Sequence, residues 1–289
     1  MNPFSFLTQM LRISIPYLFA ASGGVIAERA GIVSLTLEGF MLSGAFGAAL
    51  GTHYTGSPWV GVLSGMFGGL VFAMIHAVAT IRYRANQVVV GVAINLLAIG
   101  VTRFFLKLAF DSSSNSPRVE GFGGDPRFAG FDNPLLWLGL LAGPLVAFMI
   151  YRTAFGLRIR AAGEHPEAAE SVGINVSLVR YAAVALSGIL AALGGVYLAL
   201  DQHQFTDQMT AGRGFIAISA VIFGRWNPWR AASACLLFAA AETLQIRLQG
   251  SHAIASQFIE MIPYLLTIIA LAGLVGRAVP PAALGKSDE

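Results

Sequence analysis

Charge is scarce in this sequence, and cysteine scarcer. Charged residues make up 11% of the 289, under half the ~25% of a soluble globular domain, which argues against a chain that folds in water. The one cysteine, Cys235, has no intrachain disulfide partner and lies in an apolar run, where it reads as a small core residue. The histidines His53, His76, His165, His203 and His252 are scattered, without the spacing of a metal-ligand set, so no metal is expected. No nucleophile–base constellation is recognisable, and the chain does not read as an enzyme. The Gly-Lys-Ser at 285–287 lacks the first glycine of a phosphate loop and leaves no room for a following helix. It reads as a solvated tail, and no cofactor is expected in this chain.

What fills the sequence is apolar. Hydrophobic residues make up 56% and mean hydropathy is +0.69. They gather into runs near the ~20 residues that cross a bilayer as a helix. Runs at 7–27, 31–51, 58–81, 87–109, 134–151, 178–200, 231–249 and 254–276 predict about eight transmembrane helices. A further run at 212–224 is too brief to cross and reads as a short broken or re-entrant segment. The expected fold is therefore all-α and polytopic, with 1–289 forming a single transmembrane domain. "SIPYLFAASGG" at 14–24 could pass for a signal-peptide core, but only Arg12 precedes it and the apolar run continues to Ala27, so it reads as a retained first span.

Basic residues orient the chain. Arg82 and Arg84, then Arg152, Arg158, Arg160 and Arg180, then Arg225 and Arg230, then Arg277 and Lys286 fall on one side of the span count. The positive-inside rule makes that side cytoplasmic, with 110–133 and the N-terminus outside. The formal charge of +3 follows from this placement; the expected environment is lipid, with no nucleic acid. Trp59, Tyr83, Trp137, Tyr151, Trp226 and Trp229 lie near span ends and read as interfacial anchors. Gly61, Gly65 and Gly69, and likewise Ser187, Ala191 and Gly195, form small-residue ridges that let helix backbones approach closely. "GGV" at 23–25 followed by "EGF" at 38–40 is echoed by "GGV" at 194–196 and "RGF" at 213–215. Such an echo is either chance in a glycine-rich chain or the trace of an inverted repeat.

Glu38-Gly39 sits inside the second apolar run, where an unpaired carboxylate is costly and glycine weakens the helix. Two readings stand side by side: a carboxylate bonded to a neighbouring helix or broken backbone, and a polar group lining a solute path. Arg213, beside Gly214 at the echoing position, is an available countercharge, so a Glu38–Arg213 pair is expected. Asn95, midway along its span, could bond across helices or to a sugar hydroxyl. Asn86 and Gln87 read as interfacial; Ser34, Thr36 and Ser219 read as bonding their own helices' carbonyls. Glu242 and Glu260 read as paired near span ends.

The connection 152–177 is "RTAFGLRIRAAGEHPEAAESVGINVS". Pro166 can start a helix, "EAAES" favours one, and Gly173 can end it. Taken alone, the segment is equally an amphipathic linker at the headgroups. Yet Glu167, Ala168, Ala169 and Gly173 match the opening of the EAA-x-x-x-G signature of ABC importer permeases, without its later Ile-x-Leu-Pro. "ERAGIVSLTLEGFMLSGAFGA", "ANQVVVGVAINLLAIGVTRFF", "FGLRIRAAGEHPEAAESVGINV" and "MTAGRGFIAISAVIFGRWNP" extend the resemblance from Glu28 to Pro228. Together they resemble permeases of the branched-chain amino acid and ribose group, in its nucleoside and simple-sugar branch.

That resemblance implies the membrane subunit of an ATP-driven importer in a prokaryotic inner membrane, moving a nucleoside or sugar-bearing solute by alternating access. It implies a partner ATPase that hydrolyses ATP with Mg, a second related permease as heterodimer partner, and an extracytoplasmic solute-binding protein. It gives 152–177 the role of a coupling loop docking on the ATPase, while Glu38, Gly39, Asn95, Arg213 and Gly214 become candidates for the pathway. The reading from another class is a secondary transporter using Glu38, Glu242 or Glu260 as a proton site.

Overall fold

The computed structural model describes residues 3–122, 131–249 and 279–286. They form ten α-helices: α1 Pro3–Arg29, α2 Leu37–Thr55, α3 Pro58–Ala77, α4 Gln87–Phe110, α5 Pro134–Arg152, α6 Ala154–Glu164, α7 Pro166–Ser171, α8 Val176–Asp201, α9 Arg213–Phe223 and α10 Pro228–Gln249. A π-turn at Val78–Arg82 prolongs α3. Among the described residues the only β pairing is an isolated bridge, Asn115 to Thr206. Among the described residues, six helices are long and apolar enough to cross a membrane, those containing α1, α3, α4, α5, α8 and α10. The expected count of about eight also drew on α2, which has 19 residues but is not among those six, and on 254–276, which lies outside the described residues.

Side-chain caps set several helix starts. Asn86 accepts from Val88 N and Val89 N at 3.0 and 3.1 Å, Asn133 from Leu135 N at 2.9 Å, and Asn175 from Leu178 N at 2.9 Å. Each satisfies donors that a helix leaves open in its first turn. Asn86 is thus the N-cap of α4, exposed at the end of its span.

The centre of the fold is α1, α2, α3 and α8. Of the apolar stretches of α1 and α8, 78% is buried, against 28% for α4, so α4 lies at the rim. The ridges do what their spacing predicts: Gly65 faces the Gly44 backbone and Val196, and Gly69 faces Gly188 and Ala192. A Cβ at Gly195 would fall on the Met41 carbonyl, so only glycine allows α8 and α2 to meet there. Cys235 is fully buried.

Two corrections concern the ends of spans. The second run, expected at 31–51, is broken: residues 30–36 are irregular and the helix starts only at Leu37. The break is satisfied from elsewhere, with Val33 N donating to Gln87 Oε1 at 2.7 Å and Ser34 Oγ to Glu28 Oε1 at 2.7 Å. Gln87 is therefore a buried strut, and Ser34 bonds a carboxylate rather than its own helix. Trp226, expected at a membrane interface, is 5% exposed and donates its indole N–H to Glu28 Oε2. Trp59, Tyr83, Trp137, Tyr151 and Trp229 are exposed as expected.

The connection 152–177 holds two helices, α6 and α7, where the sequence pointed to one. Thr153 caps α6 through Gly156 N at 3.1 Å. The segment 279–286 closes over this end of the bundle, with Ala283 N bonding Gly163 O at 2.9 Å and Gly285 N bonding Gly31 O at 3.3 Å.

Candidate functional site

Helix α9 explains the charge in the second apolar run. Its 11 residues extend about 16 Å at ~1.5 Å per residue, half the ~30 Å hydrocarbon thickness. It is therefore a half-helix, as the short run at 212–224 predicted. Its open N-terminal amides need an acceptor, and no water is available in hydrocarbon to provide one. Glu38 is that acceptor. Gly212 N and Thr210 Oγ1 donate to Oε1 at 2.9 and 2.6 Å, and Gly214 N donates to Oε2 at 2.7 Å. A carboxylate at a helix N-terminus also offsets the positive end of the helix dipole. Gly214 is obligatory here, because a Cβ on it would overlap the Glu38 backbone.

The expected Glu38–Arg213 pair is not formed. Arg213 Nη2 reaches Glu242 Oε1 at 3.1 Å, both side chains about a fifth exposed, and Tyr17 donates its hydroxyl to Glu242 Oε2. The echo put Arg213 opposite Glu38 in sequence, but the backbone of residues 212–214 takes the carboxylate first. Glu242 pairs seven residues before its helix ends, so it too lies inside the bundle. Glu260 lies outside the described residues.

Asn95 joins this centre from α4. Its Oδ1 accepts from Gly39 N at 2.9 Å and its Nδ2 donates to Leu35 O at 2.8 Å. It stitches the broken start of α2, using both ends of the amide. The other end of α9 is held as firmly: Trp226, three residues past it, is gripped by Glu28 and accepts from Arg29 Nε at 2.8 Å through its carbonyl. Glu28 and Trp226 were missed as a pair because 198 positions separate them.

A cavity of about 370 Å³ opens where the first turns of α2 and α9 meet α4. Glu38, Gly39, Asn95, Thr210 and Gly212 line it, with Gln208, Ala211 and Phe215 on the α9 side and Leu42, Val92, Leu96 and Ile99 opposite. Arg213 and Gly214 are not in its wall; Arg213 lines a separate cavity of about 590 Å³ with Arg12, Asp201 and Arg247. The entry to α9 runs beside the connection after α4: Ser116 N bonds Phe205 O and Val119 N bonds His203 O, each at 2.8 Å. Arg103 of α4 binds Asp207 at 2.5 Å. Gln208 and Ala211 have φ of 54 and 47°, a left-handed conformation uncommon for side chains other than glycine, asparagine and aspartate.

The residues matching the EAA signature stand elsewhere, on α7. Pro166 opens the helix, and Gly173, at φ 84°, ends it. Ile174 N closes on Ala169 O at 3.0 Å. Ala169 is buried and seats the helix, while Glu167, Ala168 and Gly173 are exposed, together with Val172 at 74%. Sequence analysis thus located two separate places, one where the first turns of α2 and α9 meet and one on α7.

Comparison with known proteins covers most of the chain. The model of the family "Branched-chain amino acid transport system / permease component" matches residues 6–271. The guanosine ABC transporter permease protein NupQ of Bacillus subtilis is 40% identical, over 93% of this chain and 92% of its own length. The nucleoside ABC transporter permease protein NupC of Lactococcus lactis is 36% identical, over 96% and 95%. A putative glucose ABC transporter permease protein, TsgC13 of Haloferax volcanii, is 36% identical over 81% and 74%.

Proposed function

This chain belongs to the family of permease components of branched-chain amino acid transport systems, and from that membership we propose that it forms one half of the membrane pathway of an ATP-driven nucleoside importer. It is a multi-pass membrane protein and a transport subunit rather than an enzyme. Two relatives, 40% and 36% identical over more than nine-tenths of this chain, are named for guanosine and nucleoside transport, which supports a nucleoside over a simple sugar. The remaining parts are a second related permease as heterodimer partner, an ATPase hydrolysing ATP with Mg, and an extracytoplasmic solute-binding protein. The membrane is the inner membrane of a prokaryote, and the chain acts as a single transmembrane unit.

One observation carries the pathway reading: a half-helix whose N-terminus is bound by the chain's own carboxylate, bordering a cavity of about 370 Å³. Discontinuous helices beside a mid-bundle cavity are how transporters build solute sites. α4, the rim helix forming the cavity's far wall, exposes Val88, Val89, Leu97 and Phe104, leaving room for a partner permease to close the path. At the other end, α7 is the coupling helix. Glu167, Ala168 and Gly173 form its docking face, and Ala169 anchors it. Closure of the ATPase moves α7, and α6 relays that movement to the break 30–36 through Gly163, whose Cα lies against the Arg29 carbonyl. The two access states alternate by this movement.

Among the described residues, gradient-driven transport has less to draw on, since Glu38 accepts three hydrogen bonds and Glu242 holds Arg213 and Tyr17. The test is uptake by vesicles holding the chain, its partner permease and the ATPase, with guanosine-loaded binding protein outside. Uptake is expected to need ATP inside and to ignore ion gradients. Uptake by the purified chain on a gradient alone would overturn the reading.

A further inference from the structure

The wall of the 370 Å³ cavity is unevenly committed. Glu38 accepts three hydrogen bonds from Thr210 and the backbone of 212 and 214, and Asn95 uses both ends of its amide. Among the described residues, Gln208 is the one polar side chain in that wall with no hydrogen-bond partner. Its backbone is held left-handed, with Asp207 beside it tied to Arg103. A non-glycine residue in that conformation costs energy and persists where its surroundings impose it. Two residues into α9, Phe215 is 46% exposed at the same cavity. Gly212 and Gly214 flank it with no side chain of their own to cover it.

We propose that Phe215 and Gln208 are the solute-recognising residues of this cavity: the ring stacks on the base of a nucleoside and the amide hydrogen-bonds its polar edge or its ribose. This rests on the nucleoside-importer reading and deepens it. The donors at the head of α9, which would otherwise attract an anion, are already engaged by Glu38, so the site takes a neutral solute. A volume of about 370 Å³ lies within the ~300–1,000 Å³ of small-molecule sites, and an aromatic face accepts any planar base.

The test uses the complete transporter in vesicles, with guanosine and saturating binding protein, reading uptake per ATP hydrolysed and the amount of assembled complex. Phe215→Leu keeps an apolar side chain of similar size without the π face, and is expected to lower uptake per ATP about ten-fold. Phe215→Tyr keeps the ring and stays near wild type. Gln208→Asn, which tolerates the left-handed backbone and keeps an amide, retains more activity than Gln208→Leu. Assembly is unchanged in all four. A Phe215→Leu transporter equal to wild type overturns the inference, as does a Phe215→Tyr as impaired as Phe215→Leu, or a loss that tracks loss of assembly. A wild-type complex that moves no nucleoside overturns the underlying reading, and this inference with it.

Discussion

Glu38 fits a structural and a functional reading equally in the sequence, and the structure binds it to the backbone at the head of α9. Hydrogen bonds to a charged group contribute about 1.5–3 kcal/mol each, and three of them meet on this carboxylate. Glu38→Gln keeps the size but turns an NH₂ toward one of the three donors. It is expected to lower stability in detergent by about 2–4 kcal/mol, read as a fall in unfolding temperature. The double change Glu38→Arg with Arg213→Glu is expected to be no better than the worse single change, since the arginine partners Glu242 instead. Recovery to wild-type stability in that double variant would contradict the observed bonding. The cost of an isolated carboxylate was legible in the sequence. Its partner was not, because backbone N–H groups carry no residue-type signal.

At the scale of elements, the chain uses helix ends as parts. α2 begins inside the bundle at Leu37, α9 begins against it, and α7 is defined by proline at one end and a left-handed glycine at the other. Gly173 has open space around it but a φ of 84°. Gly173→Val therefore meets no clash and is strained by its backbone alone, by about 1–2 kcal/mol. The expected result is a looser α7 and poorer coupling: ATP hydrolysis by the assembled transporter persists while uptake per ATP falls. Unchanged coupling would remove α7 from the transmission route. Proline and glycine announced α7 in the sequence. The preceding α6 went unread because its arginines and glycines resemble a polar linker, and its order comes from burying Ile159 and Ala162.

Across the whole molecule, distant segments converge on the end that carries the basic loops. The break 30–36, the end of α6 and the segment 279–286 are joined through Gly31, Gly163, Ala283 and Gly285. Arg180 Nε bonds the Ala30 carbonyl at 3.3 Å, and Arg29 lies 3.7 Å from Glu164. Removing residues 279–289 is expected to leave the helices inserted but to speed hydrogen exchange in 30–36 and at the end of α6, measured by mass spectrometry. Exchange unchanged at both places would show that the closing segment adds no local stability.

The sequence by itself determined the membrane class, the order of most spans, the short helix at 212–224, the glycine ridges and the α7 boundaries. Those features follow from apolar run length, small-residue spacing, and the backbone limits of proline and glycine, all of which act locally. Only the tertiary structure decided that the second span starts six residues late, that Glu38 seals α9, that Arg213 turns to Glu242 and that Trp226 is buried on Glu28. In a dry interior each polar group must find a partner wherever the fold brings one, and that choice depends on which segments pack together, across 198 positions for Glu28 and Trp226 and 225 for Tyr17 and Glu242.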